Sequence, residues 1–380
     1  PAYRADDALL LFPTIYKYIT ETGNTGFLDE TIPFADQDDA SIYEHLKRAI
    51  SFSLSHLGPH DMPAGLYADW NDCLRLGANG ESSFVAMQFY YAITILKRFA
   101  KYKNDAGYLE YLEEKQNETG STIQKMCWNH DRFIRGYTET GERIGAATDP
   151  EASLWLNPQS WAVISGLASP AQADAVLKNV HEKLNTEYGT LLMDPPYHSH
   201  AFKGALAVIY NQGTKENAGI FSQSQGWLVL AEALCGHGSR AFSYFLENCP
   251  AAWNDRAELR RLEPYCYGQV TEGTASRHPG RSHVHWLTGT ASTMMVGCVE
   301  GILGLRPDLD GITIAPSIPK DWTHLEIEKD FRGKHLHILI DNPNQRESGW
   351  KTFTLNGKKM DSNYIPAKLL SEHNEIRMIL

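Results

Sequence analysis

A change of hydrophobic period near residue 304 divides this 380-residue chain, and few architectures accommodate both parts. Before it, apolar residues recur every three or four positions; after it they alternate, the spacings of helices and then strands. The helical part comes in two kinds. Residues 81–102 carry Phe84, Met87, Phe89, Tyr90, Ile93, Ile95, Leu96 and Phe99, too many apolar positions for one face. Residues 108–126, next in line, are charged over most of their surface. Segments 8–20 (closed by Gly23), 39–57, 160–167 with 170–185 (Pro170 in a first turn), 217–234 with 239–247, and 286–303 continue the series. In the last, Met294, Met295, Val296 and Val299 are expected to face inward.

About nine helices in inner–outer pairs predict a mainly α toroid of helical hairpins, its loops gathered at one rim. A full ring of six hairpins needs about twelve helices, so about three are expected upstream of Pro1. Residues 127–156 read as a hairpin or long excursion, 190–210 as loop, and 263–284 as an irregular Gly-rich stretch. Beyond 304, segments 311–318, 325–329, 335–340 and 351–355 alternate, Asn356-Gly357 is a hairpin turn, and 375–380 is a closing strand. Two domains follow: 1–304 helical and 305–380 a small β-sandwich, the latter structural.

Composition excludes several classes of function. With 42% hydrophobic and 21% charged residues the chain reads as globular, and a net charge of −11 leaves no basic excess to neutralise nucleic acid or an anionic membrane. No apolar run approaches the ~18 residues of a membrane span. Six cysteines without a C-x-x-C pair suit reduced thiols in the cytoplasm. The N-terminus has neither initiator Met nor signal-peptide build, so the chain is expected to begin inside a larger protein.

The chemistry is expected in the polar stretches between helices. Residues 65–77, GLYADWNDCLRLG, set Asp69, Trp70, Asn71 and Asp72 between apolar runs. An indole offers a flat apolar face to a pyranose ring, and carboxyl and amide groups bond its hydroxyls. A helix cap through Asp69 or Asn71 is the plainer alternative. YNQGTKENAGIF (210–221) places Lys215 and Glu216 at the mouth of a helix, where Glu is also an ordinary dipole partner. YCYGQ (265–269) groups aromatic and amide side chains. LTGTA (287–291) offers hydroxyls and an unobstructed glycine N–H at a helix start, which suits an anion or a plain threonine cap. The pairs His198/His200 and His283/His285 allow two imidazoles on one side of an extended segment. With no HExxH and no carboxylate at fixed spacing, no metal site is expected there.

With these motifs in order, from RADDALLLFPTIYKYITETG through ADWND, KENAGIF, YGQ and HWLTGTAS to GLRPDLDGITIAPSIPKDW, the chain resembles the disaccharide phosphorylases of glycoside hydrolase family 94. This group includes cellobiose, laminaribiose and chitobiose phosphorylases. The resemblance implies an (α/α)6-barrel, here without its first helices, followed by a jelly-roll-like domain. It implies that Asp72 is the general acid and Trp70 a wall of the donor-sugar subsite. It assigns Lys215 and Glu216 to sugar hydroxyls, places Tyr210 towards the acceptor, and puts Gln223, Gln269, Thr288 and Gly289 on the phosphate side. It also implies a cytoplasmic homodimer, acting on a disaccharide with inorganic phosphate as co-substrate and no other cofactor. Two departures stand out. Family members carry a histidine in the run after KENAGIF, where Gln223 stands and can donate a hydrogen bond but carries no charge. The family's donor-gripping Arg and Asp lie before Pro1, so a separate N-terminal fragment is a possible partner.

Inverting phosphorolysis needs one acid to protonate the glycosidic oxygen, while phosphate, already anionic, attacks the anomeric carbon from the opposite face. Asp72 is accordingly expected to lie buried against Trp70 with Asp69 beside it, surroundings that favour a neutral acid. The expected substrate is a β-glucosyl disaccharide, giving an α-glycosyl 1-phosphate and a free sugar, with a glucose-like acceptor next to Tyr210. Two rival readings remain: an inverting hydrolase with Glu216 or another carboxylate as base, and a non-catalytic fragment.

Overall fold

The structure, a computed structural model, describes residues 3–380. The described residues form ten α-helices: α1 (Leu11–Thr22), α2 (Ile42–Ser55), α3 (Ser83–Tyr102), α4 (Ala106–Cys127), α5 (Leu156–Ile164), α6 (Pro170–Lys183), α7 (Ser222–Leu234), α8 (Gly238–Asn248), the single turn α9 (Ala257–Arg260) and α10 (Thr290–Val296). Local chemistry sets several ends. Ser41 and Ser82 accept the N–H groups of Glu44 and Val85, Ser169 and Gln172 form a capping box ahead of Pro170, and Gly23 closes α1 at φ 75°.

The inner–outer pairing is present. Apolar α3, α5 and α7 pack side by side, and each also packs against a more polar neighbour, α4, α6 and α8 respectively. Residues of α1, α3, α5, α7 and α10 line a common cavity of about 430 Å³. Among the described residues no helix is long and apolar enough to cross a membrane.

Close approach of α7 to α10 depends on missing side chains. A methyl group at Gly226 would collide with the Thr293–Met294 peptide, and one at Gly297 would crowd Val229 and the Gly226 carbonyl. This contact places the start of α7 beside the start of α10. After α10 the chain widens into a π-helical segment, Gly297–Ile302.

Four expectations differ from the structure. The helix expected from 217 begins at Ser222, because a short strand, β1 (Ile220–Phe221), intervenes. The helix expected from 286 begins at Thr290, after backbone at φ 63° for Trp286. Met294 is buried, whereas Met295 is 63% exposed. The stretch 263–284 is not wholly irregular: β2 (Gly268–Thr271) and β3 (Ser282–His285) join β1 in an antiparallel sheet, order β1-β2-β3.

From Leu305 onward the chain is β. Strands β4 (Leu305–Asp308), β5 (Gly311–Ile314) and β10 (Tyr364–Pro366) form one sheet, order β4-β5-β10. Strands β6 (His324–Phe331), β7 (Lys334–Asp341), β8 (Thr352–Leu355), β9 (Lys358–Lys359) and β11 (His373–Ile379) form another, order β6-β7-β11-β8-β9. Asn356 and Gly357, both at positive φ, make the expected turn between β8 and β9. The final strand is not at an edge. It inserts between β7, to which it runs parallel, and β8. This region meets the helices through Asp308, which accepts from the Tyr16 hydroxyl (2.7 Å) and pairs with Arg98 (3.0 Å).

Gly226→Ala is expected to destabilise the chain by about 1–3 kcal/mol, since the added carbon meets backbone that cannot rotate aside. Urea denaturation followed by circular dichroism measures this; an unchanged midpoint would show that α7 and α10 can separate at no cost.

Candidate functional site

Motifs separated by more than two hundred residues meet at one end of the helical layer. The 69–72 loop is anchored from below. Asp69, 3% exposed, receives both Nη2 contacts of fully buried Arg135 (2.6 and 2.8 Å), the Ser82 hydroxyl (2.8 Å) and the Asn71 N–H (2.8 Å). Arg135 also donates to Asn71 Oδ1 (3.0 Å) and Ser82 Oγ (2.8 Å), and its guanidinium lies over the Trp155 and Phe84 rings. A buried carboxylate survives only when paired and hydrogen-bonded, and this one is.

A second tether comes from the KEN segment. Glu216 Oε2 accepts the Cys73 N–H (3.0 Å) and the Asn71 amide (3.4 Å). Burial, and then the nearby charge of Asp72, push the Glu216 carboxyl up to about 7. Lys215 and Glu216 do not sit at a helix mouth, as expected from the sequence. They occupy a tight turn closed by pairing of Thr214 with Asn217, with Lys215 at φ 50°, so helix-dipole assistance does not apply. From this turn Lys215 Nζ donates to Gln269 Oε1 on β2.

A third link joins the loop to α10. Trp70 Nε1 donates to Gln223 Oε1 (3.1 Å), and a carbon added at Gly289 would lie 3.2 Å from Gln223 Nε2. The Gln223 carbonyl accepts the Thr293 hydroxyl (2.8 Å), and Thr288 Oγ1 shares a hydrogen bond with Thr290 Oγ1 (2.5 Å). Trp70 packs edge-on against Phe221 and Trp227, which orients the indole. Tyr210 lies beside Cys73 and lines a separate cavity of about 590 Å³ together with Tyr197, Asn211, Glu272 and Arg277.

The structure therefore joins Trp70 to Gln223 and Gly289, Lys215 to Gln269, and Glu216 to the 71–73 backbone beside Asp72, with Thr288 and Tyr210 at the margins. One expectation fails. Asp72 is not buried against Trp70: its side chain is 65% exposed and ion-paired with Arg4. Asp69 is committed to Arg135 instead of lying free beside Asp72. Of the histidine pairs, His198 contacts Glu151 (3.1 Å) and His283 contacts Glu272 (2.5 Å).

Residues 2–304 match the family model described as the glycosyl hydrolase 94 superfamily, catalytic domain. The chain belongs to that superfamily. It is 35% identical over 378 residues to an N,N'-diacetylchitobiose phosphorylase of Vibrio proteolyticus, covering 99% of this chain and 47% of that protein. It is 30% identical over 370 residues to a solabiose phosphorylase of Paenibacillus borealis, covering 96% of this chain and 48% of that protein. The family 94 chain thus spans about half the length of the curated relatives it matches. Its fold is similar to that of a GH78 family rhamnosidase of Bacillus sp. GL1, with a TM-score of 0.56 and 15% identity over 89% of this chain and 33% of that one. At that identity only the fold is shared.

Arg135 and Arg4 had no assigned role from the family 94 sequence alone. Arg135 was detectable, since a charge between Phe133-Ile134 and Gly136-Tyr137 must find a buried partner. Arg4 reaches Asp72 only through tertiary structure.

Replacing Arg135 by Met is expected to cost about 3–5 kcal/mol, because Asp69 is then buried unpaired. Adding Asp69→Asn should recover part of that loss in urea denaturation; no recovery would mean that the pair is not the source. The raised Glu216 carboxyl predicts a pH effect. Its contribution is fully present below the unfolded value, near 4.5, and is lost as pH rises through about 7. Asp6, also pushed up to about 7, by burial and then by Asp69, acts in the same direction. Stability should therefore fall between about pH 4 and 7, and Glu216→Gln should flatten the fall. A slope unchanged in that variant counts against the assignment.

Proposed function

We propose that the protein containing this chain carries out inverting phosphorolysis of a β-linked disaccharide, yielding an α-glycosyl 1-phosphate and a free sugar. The observation that carries this reading is the direct chain of contact from the Asp72 loop through Trp70 and Gln223 to Gly289. It supports a reading in which a proton donor and an anion cradle share one rim. In the proposed reaction Asp72 gives its proton to the glycosidic oxygen as the bond breaks, and Arg4 has to release it first. Phosphate, held by donors among Gln223, Gln269, Thr288 and the Gly289 N–H, attacks the anomeric carbon from the opposite side. Trp70 gives the donor ring a wall, and Lys215 and Glu216 bond its hydroxyls. No cofactor other than phosphate is required.

The helices are read as part of an (α/α)6-barrel, with residues 1–304 as the barrel region and 305–380 as a sandwich domain. The same proposal includes a cytoplasmic homodimer, in keeping with six free cysteines.

For the acceptor, the cavity beside Tyr210 is the proposed site, and its aromatic wall suits a glucose-like ring. A second reading, an N-acetylated substrate, is favoured by the relative that is a chitobiose phosphorylase. Incubating the protein with glucose 1-phosphate or N-acetylglucosamine 1-phosphate and a panel of acceptors separates the two. Hydrolysis with Glu216 as base is less favoured, because its Oε2 already takes two N–H donors from the 71–73 segment.

Asp72→Asn in the full-length protein is expected to lower phosphorolysis about 10²-fold or more. Sugar phosphate should form only when inorganic phosphate is supplied. Free glucose released at equal rates with and without phosphate would replace this reading by hydrolysis, and normal turnover of the variant would remove Asp72 from the role.

A further inference from the structure

The outer face of the five-stranded sheet carries an arrangement that the proposed reaction does not use. The sequence of β6 alternates, so Leu325, Ile327 and Phe331 turn inward and Glu326, Glu328 and Asp330 turn to solvent. On β7, His335 and His337 share that outward face. The register sets Glu328 directly opposite His337 and Asp330 opposite His335. Two carboxylates at i and i+2 thus face two imidazoles at i and i+2 across a rigid antiparallel pair.

One ligand atom from each of Glu326, Glu328 and His337 lies within 4.8 Å of the other two, and among the described residues this is the one such group of three. His337 Nε2 is 2.7 Å from Glu326 Oε1 and 3.7 Å from Glu328 Oε1, while His335 Nε2 is 2.8 Å from Glu328 Oε2. Ligand atoms around a tetrahedral zinc ion stand about 3.4 Å apart, a consequence of metal–ligand bonds near 2.0–2.1 Å.

Charge favours a dication in that place. A neutral imidazole has a single N–H, so His337 reaches Glu326 and His335 reaches Glu328, yet the two glutamates still stand side by side as like charges on an edge strand. Glu375, opposite His337 on β11, is a further carboxylate on this face and is engaged by Arg377 (2.8 and 3.1 Å). A divalent ion would neutralise both glutamates while taking the imidazole as a neutral ligand.

We propose that Glu326, Glu328 and His337, with His335 as an adjacent fourth ligand, form a surface site for a borderline divalent transition metal of the zinc class. Mixed imidazole–carboxylate donors select zinc, copper or nickel over magnesium and calcium, which prefer all-oxygen shells. The bound ion clips edge strand β6 to β7 and so stabilises the C-terminal sheet. The site is independent of the Asp72 region and of the activity proposed for it.

Isothermal titration of the chelator-stripped chain with Zn²⁺, Mg²⁺ and Ca²⁺ tests this. The expected result is one zinc per chain, no matching heat with magnesium or calcium, and a higher urea midpoint for the zinc-loaded form. His337→Ala and Glu328→Gln should each weaken zinc at least about tenfold and abolish the shift in midpoint. His198→Ala, at a histidine elsewhere on the surface, should change neither. These side chains are exposed, so the variants should retain the circular dichroism of the parent; Glu326→Gln replaces any that does not. Absence of zinc binding, zinc retained at parental affinity in the variants, or equal affinity for magnesium overturns the site.

Discussion

The candidate site stands on a buried ion pair. Asp69 and Arg135 come from segments 66 residues apart, and neither charge has access to water. Each is tolerable in the interior only because the other is present, together with Ser82 and Asn71. Their mutual attraction holds the 69–72 loop against the start of α3 and the segment that carries Arg135. Trp70 is thereby turned towards Gln223, and Asp72 is left facing solvent. The polar residues of ADWND divide the work. Asp69 and Asn71 face the protein, while Trp70 and Asp72 face the opening.

A second constraint is steric. Gly226 and Gly297 let α7 and α10 approach until backbone meets backbone, which brings Gln223 against Gly289. Larger residues would separate the helix starts and widen the gap between the indole and the threonine-rich turn. The site thus depends on one strong polar contact and on two side chains that are absent. Neither type of residue need touch a ligand to determine where ligand-facing groups lie.

Helices with strong periodicity were legible in the sequence. Gly23, Pro170 and Asn356-Gly357 ended or began elements where their backbone preferences require it. Boundaries were misread where polar motifs abut helices. At 217 and 286 the apolar pattern continues through residues that in fact form a turn, a short strand or left-handed backbone. Periodicity counts apolar residues but cannot register a strand of two residues, because such a strand exists only through its partner β2. For the same reason Lys215 and Glu216 were misplaced at a helix mouth. The outward pattern of β6 and β7 was readable, but the meeting of Glu328 with His337 required the register.

By itself the sequence determined the kinds of element, the change from helix to strand near 304, and the residue types at the rim, since these follow from local periodicity and backbone preference. Only tertiary structure decided that Asp69 is a buried anchor and Asp72 an exposed partner of Arg4. It alone also decided that the last strand lies inside its sheet. The reason is physical: burial and pairing are properties of groups brought together across long stretches of chain, and two aspartates three residues apart carry the same local signal until something else packs against one of them.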